Sequence, residues 1–330
     1  MKYLCSIFLI SVFWACSDSN HAIVPSFYHW QTNFDLDSSQ SKTLTRLNVE
    51  KLYVKYFDVK WLKNKAVPVA EVNWKTQANV EIVPVIYITT DVFTNLDSTK
   101  IKLLSKNIAD KIKQLHPTNS FTEIQIDCDW MPSIKDKYFY FLESVKSHFK
   151  NTIFSATVRL YQYKYPDLAG VPPVDKGLLM YYNMGTLSDL NESNSILNNS
   201  IGKQYLGFGK YPLPIDIALP NFTWSLVFRQ GKFQFISKSF TSTSFQNNQQ
   251  FKHDTLNKWW IKKDTVINKT YFRHGDLIRF ESCSTTHLVE AVNLLLPELN
   301  QNTTNVIIYD LNSNLKNDYE KINTVFNTFK

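Results

Sequence analysis

Glycine is scarce in this chain, with eight residues in 330, against roughly 7% in an average soluble protein. That scarcity excludes collagen-like repeats. It also excludes the Gly-rich βα turns with which doubly wound sheets cradle phosphate. Cysteine is scarcer still, with four in the chain, and no CxxC pair or His-rich spacing supports a zinc site. Blocks of like charge are missing too. The formal net charge of +7 comes from basic residues scattered along the chain, and the longest basic cluster is Lys262-Lys263. A nucleic-acid face concentrates such residues on one element, so the balance reads as a solvated surface with no nucleic-acid partner. No apolar run reaches the ~20 residues of a membrane-spanning helix. What the chain does have is a hydrophobic share of 44%, enough for a packed core, and an aromatic share of 15%. Rings serve packing first, and a surplus also suits a site that stacks flat ligands such as sugars.

The first twenty residues differ from the rest. Lys2 precedes an apolar run from Leu4 to Ala15, then Cys16, then the polar Ser17, Asp18, Ser19 and Asn20. The run has the length of a secretory core rather than of a bilayer span. Ala15 directly before Cys16 resembles a bacterial lipobox. That resemblance implies a signal peptide over 1–15, a lipidated Cys16 and a tether over 16–25. It places the protein in the bacterial cell envelope, held to a membrane, the outer one, by its N-terminal lipid. Ordinary secretion with cleavage near Ala15 is the alternative. Two cysteines then remain, Cys128 and Cys283. A disulfide suits an exported protein, but Cys128 lies in an apolar strand pattern that favours a buried thiol.

Eight strand-like runs recur along the chain, at 26–31, 51–61, 81–89, 122–130, 152–161, 177–184, 216–222 and 305–311. Helix-like runs lie between them at 100–115, 135–149, 189–197, 287–299 and 315–329. In the first of these, Ile101, Leu104, Ile108, Ile112 and Leu115 recur with the period of a helix packed on a sheet. Alternating β and α argues for a parallel sheet. Eight strands fit a closed (β/α)8 barrel of the TIM type, an α/β fold occupying 26–330. About 60 residues after the seventh strand are too long for an ordinary loop. They read as an inserted excursion over 229–284, opening with a hairpin that turns at Gln230-Gly231.

Barrel chemistry sits at the C-terminal ends of the strands. In TEIQIDCDW, Ile124, Ile126 and Cys128 form an apolar set suited to face helices. Gln125, Asp127 and Asp129 form the inward set. Ser155, Thr157 and Arg159 share a face of the fifth strand, and Tyr53, Lys55 and Phe57 a face of the second. Lys55 and Arg159 are therefore expected to supply countercharge to Asp127 and Asp129, whose burial costs free energy unless paired. A purely structural ion-pair plug is the alternative. Hydrolysis of a glycoside takes two carboxylates. Asp127 and Asp129 lie about 6–7 Å apart along a strand, and Glu71, Asp58 or Asp310 is a candidate partner. Trp30, Trp130, Tyr182 and Trp224 fall near strand ends, where rings can stack on sugar. Nearby Lys and Arg repel a cation, so neither a metal nor a cofactor is expected. His29 and His274 read as structural.

IQIDCDWM resembles the fourth-strand DxxDxDxE motif of family 18 glycoside hydrolases. Asp127 and Asp129 match its last two Asp positions and Trp130 the residue before its Glu. Met131 takes the place of that Glu, and Ile124 that of the first Asp. MYYNMG at 180–185 resembles the family's sixth-strand segment, with Tyr182 and Asn183 in place, and ALPNFTW at 218–224 its seventh-strand segment. The whole pattern is more closely similar to a family of bacterial barrel lipoproteins that share Phe27-Tyr28-x-Trp30-Gln31, the stretch 52–59, and Gln125-x-Asp127-x-Asp129. The resemblance implies a glycosidase-like barrel with a saccharide ligand. The favoured reading is a glycoside hydrolase using Asp127, Asp129 and Glu71, with Lys55, Arg159, Trp30, Trp130, Tyr182, Asn183 and Trp224 binding substrate. Because protonating a leaving oxygen needs an acid at the place of Met131, a barrel that binds saccharide without cleaving it, or a structural envelope lipoprotein, is the alternative.

Overall fold

The computed structural model describes residues 22–116, 121–238, 240–241, 243–246, 248–311 and 315–329. The expected signal peptide, the lipidated Cys16 and the first part of the tether lie outside the described residues.

Eight parallel strands close into a barrel, each pairing with the next in sequence: β1 (Ala22–His29), β2 (Lys51–Leu62), β3 (Glu81–Ile88), β4 (Glu123–Asp127), β5 (Ile153–Arg159), β6 (Lys176–Met180), β7 (Ile215–Pro220) and β8 (Thr303–Tyr309). β8 closes the ring onto β1, with Phe27 opposite Ile308. All eight expected strands are present. Their outward residues are the apolar ones, among them Phe27, Leu52, Ile86, Ile124, Ile126, Phe154, Val158, Ile217 and Ile308, and they pack against the helix layer. Each such side chain removed from water contributes about 1.5–3 kcal/mol. Helix Ile101–Leu115 buries Ile101, Leu104, Ile108 and Ile112 on that layer, as its period requires. Lys135–Lys146 and Tyr319–Thr328 form within two further expected runs, and Thr285–Leu295 starts two residues before the run expected at 287–299 and ends four residues short of it.

The expected helix at 189–197 does not form; the chain there runs through turns. Its Asx side chains explain why. Asp189 Oδ1 accepts from the Asn191 N–H at 2.8 Å, and Asn194 Oδ1 accepts from the N–H groups of Ile196 and Leu197 at 2.9 and 3.2 Å. Such side chains compete with the helical ladder for backbone donors.

Between β7 and β8 the chain builds a five-stranded antiparallel sheet, whose strands include Trp224–Arg229, Lys232–Ser237, Lys258–Ile261 and Leu277–Glu281. The first two form the expected hairpin, with Gln230 and Gly231 both at positive φ as a tight two-residue turn demands. One face of the sheet buries Val227, Phe245, Phe251, Phe272, Ile278 and Phe280. The other packs Leu226, Phe228 and Leu277 against Leu187 and Leu190 from the β6–β7 loop. Arg279, fully buried, fastens that loop, donating to the Asp189 carbonyl and pairing with Glu281 at 2.7 Å.

The barrel interior is layered. At the N-terminal end, Glu123 of β4 takes Lys176 of β6 at 2.9 Å and Lys51 of β2 at 3.6 Å. Lys176 also reaches Asp216 of β7 at 2.7 Å. Glu123 further accepts from the Tyr53 and Ser155 hydroxyls, and Asp216 from Asn305. A buried charge is tolerated when its partners are this complete. Above this layer Tyr28, Tyr53, Val83, Val85, Leu178, Met180, Ala218 and Ile307 fill the interior. The plug considered at Asp127 and Asp129 therefore exists, but it is built around Glu123 at the opposite end.

Candidate active site

The open end of the barrel, where the strands finish, collects three of the candidate carboxylates, Asp127, Asp129 and Asp58. Asp127 ends β4 facing inward, 7% exposed. Thr157 Oγ1 of β5 donates to its Oδ1 at 2.7 Å. Burial pushes the Asp127 carboxyl up to about 7, and the charge of Asp129 adds to the rise against the Thr157 bond and Arg159. Asp129 is half exposed, and Arg159 Nε lies 3.6 Å from its Oδ1. The expected Arg159–Asp129 pairing is thus present.

Lys55 takes a different partner from the expected one. Its Nζ lies 3.1 Å from Asp58 Oδ1, with Lys60 at 3.9 Å from the other oxygen. The cause is a bulge in β2: Lys55 pairs with Val85, Phe57 with Ile86 and Asp58 with Tyr87. The extra residue, Tyr56, resets the alternation. Phe57 consequently joins the outer core, and Asp58 replaces it on the inward face. Strict alternation from Tyr53 fails at this point.

Glu71 is not in the mouth. It pairs with Lys111 of helix Ile101–Leu115 at 2.7 Å. The β2–β3 connection forms no helix; instead Lys65–Val69 folds back antiparallel on β2, and the next segment docks outside the barrel, where Trp74 Nε1 donates to the Leu115 carbonyl at 3.0 Å. Trp130 is displaced too. It is 3% exposed, donates from Nε1 to the Ala169 carbonyl at 3.0 Å and stacks on Tyr138, so it belongs to the helix layer and offers no open face. Met131 is 49% exposed. Asp310 is half buried and engaged by a partner of its own.

The other rings form a continuous wall. Trp30 meets Tyr309 at 5.7 Å, and Tyr309 stacks on Tyr182 at 5.4 Å. Phe222 touches Tyr309 at 5.6 Å and Trp224 at 5.2 Å. Trp30 also meets Tyr87 at 6.3 Å, and Lys55 Nζ sits 5.5 Å from the Trp30 ring centre. Trp224 Nε1 is held by Glu281 Oε2 at 2.7 Å, which ties the wall to the antiparallel sheet. A cleft of about 150 Å³ opens beside it, lined by Arg159, Tyr161, Tyr182, Asn183, Met184 and Tyr205. Asn183 enters it at φ +56°, its N–H bonded to the Ile196 carbonyl at 2.7 Å. The sequence reading did not single out Tyr87, Tyr309 or Phe222. Tyr309 was legible, since Asn305, Ile307 and Tyr309 continue the inward parity of β8.

Both Cys128 and Cys283 are buried free thiols. His29 is buried against Phe34, and burial lowers its imidazole to about 4, which suits a packing role.

No protein-family model matches the chain, and no curated protein matches it in sequence. Solved structures do match its fold. The spore cortex-lytic enzyme SleL of Bacillus cereus aligns over 92% of this chain and 75% of its own, at 14% identity and a TM-score of 0.55. A chitinase from Chromobacterium violaceum aligns over 91% and 99%, at 10% identity and a TM-score of 0.52. A fungal endo-β-N-acetylglucosaminidase of glycosyl hydrolase family 18 aligns over 92% and 97%, at 10% identity and a TM-score of 0.51. At such identities the shared property is the fold. The chain folds as a (β/α)8 barrel of the TIM type.

Proposed function

We propose that the protein is a glycoside hydrolase of the bacterial cell envelope, held to a membrane by a lipid on Cys16 and acting on a poly- or oligosaccharide. The observation that carries this reading is the contrast between two carboxylates in one mouth. Asp127, pushed up to about 7 by burial, holds a proton near neutrality. Asp129 is half exposed beside Arg159. A carboxyl that keeps its proton beside one that faces solvent is the division of labour general acid–base chemistry needs. Asp58, steadied by Lys55, adds a third carboxylate to the same mouth. In this reading Asp127 supplies the proton, Asp129 acts as the base or nucleophile, and Trp30, Tyr182, Tyr309 and Trp224 hold sugar rings. Glu71 and Trp130 drop out of the site because of where they lie.

A specific observation favours a second reading, a barrel that binds saccharide without cleaving it. Met131 projects into solvent, 49% exposed, where the resembling motif carries its acid. Product analysis on a broad glycan panel separates the two. Turnover by the wild type, abolished in Asp129→Asn with binding retained, supports the hydrolase. Binding without product supports the second reading, and absence of both sinks both.

A further inference from the structure

The antiparallel sheet between β7 and β8 carries a cavity of about 320 Å³ at the end away from the barrel mouth, lined by Phe228, Arg229, Trp260, Arg273, His274 and Leu277 among others. The strand Trp224–Arg229 leads from the aromatic wall to it, and five residues at ~3.4 Å each put the cavity about 17 Å from Trp224. Its position follows from how the sheet is covered. Leu187 and Leu190 of the β6–β7 loop blanket Leu226, Phe228 and Leu277. Trp260, which pairs with Leu277, lies past the end of that cover and stays 38% exposed. The neighbouring Trp259 is on the other face, stacked on Phe245 at 4.1 Å. The charges in and around the cavity are unequal. Arg229 is matched by a two-pronged contact with Asp276 at 2.8 Å. Asp264 is taken by the Tyr271 hydroxyl and the His274 N–H at 2.6 and 2.7 Å. The Arg273 guanidinium makes no hydrogen bond or ion pair among the described residues, and no carboxylate lines the cavity.

We propose that this cavity is a second saccharide-binding site, separate from the mouth, for a sugar bearing a carboxylate or sulfate. The indole of Trp260 takes the face of the ring, and Arg273, with His274 beside it, takes the acid group. Asp264 lies within electrostatic reach of Arg273 and His274 but spends its hydrogen bonds on Tyr271 and the His274 N–H, so the guanidinium keeps its donors for an anionic sugar, to which a charge-assisted bond is about twice as strong as a neutral one. The inference rests on the saccharide reading above for the kind of ligand, but not on any chemistry in the mouth.

The full chain is titrated with polygalacturonate, hyaluronate and chondroitin sulfate, with neutral dextran and single-stranded DNA as controls. At least one acidic glycan should bind in preference to dextran and weaken with added salt. Trp260→Ala and Arg273→Ala, both surface changes, should each weaken it roughly tenfold, whereas Asp129→Asn leaves it unchanged. Failure of all three acidic glycans overturns the proposal, as does binding lost in Asp129→Asn but kept in Trp260→Ala. Tighter binding of DNA with the same variant sensitivity also overturns it. Turnover in the mouth without this binding would sink the second site alone. Binding here without turnover of any glycan would sink the hydrolase alone.

Discussion

Thr157 Oγ1 donates to Asp127 Oδ1 at 2.7 Å across the β4–β5 seam, and it favours ionisation of a carboxyl that burial pushes up to about 7. Burial wins, so Asp127 keeps its proton through most of the acidic range.

That proton makes stability depend on pH. The folded value lies above the unfolded one of roughly 3.9, so the contribution is full below about pH 4. It is lost as pH rises through about 7. Asp127→Asn does not titrate and keeps an oxygen for Thr157. Denaturant melts should show the variant gaining on the wild type between pH 4 and pH 8, by about 4 kcal/mol. Parallel curves would show that Asp127 is charged in the fold. If Asp127 is the acid in the mouth, wild-type turnover falls above pH ~7 as well.

Lys55 and Asp58 are both nearly buried, so each needs the other. Asp58→Asn leaves the Lys55 ammonium without its 3.1 Å partner and should cost about 3 kcal/mol. Replacing both with apolar residues of similar size should restore most of that. A double-mutant cycle by chemical denaturation measures the coupling, and additive losses would argue that the pair is not formed.

The Arg159–Asp129 contact is partly solvated, with the two side chains 32% and 50% exposed. Its share of stability is therefore small, about 0–1 kcal/mol. Arg159→Ala should leave the melting temperature almost unchanged and weaken saccharide binding, read by calorimetry. A large drop in stability would recast Arg159 as structural.

Glu123 lies four residues before Asp127, about 13 Å down the strand. Glu123→Gln removes the charge that Lys176 and Lys51 share and should cost about 2–4 kcal/mol. Ligand affinity of the folded fraction should stay unchanged. A changed affinity would link the two ends of the barrel.

The eight strands were legible because their outward residues are apolar at a period of two and because no Gly-rich turn competes with the closed barrel. Asp127, Asp129, Thr157 and Arg159 were legible for the same reason. Phe57 was misread in phase, because a bulge at Tyr56 is a backbone event that side-chain alternation does not announce, and the same bulge brings the candidate Asp58 to the inward face. Glu71 precedes Val72-Asn73-Trp74, a pattern that reads equally well at a strand top. A tertiary contact, Trp74 on the end of a helix, decides that it lies outside. Trp130 follows two inward acids, yet its indole turns to the helix layer because the Ala169 carbonyl offers its N–H a partner there.

The layer of Glu123, Lys176, Asp216 and Lys51 also governs traffic. With charged groups locked to one another at the far end and rings packed above them, the barrel is a cup and not a tube. Under the proposed function, a sugar that reached Asp127 would have to back out the way it came. On that proposal, a saccharide longer than the cup is deep would present only an end or a bend to the carboxylates, with the remainder over the rim toward Trp224 and the sheet beyond.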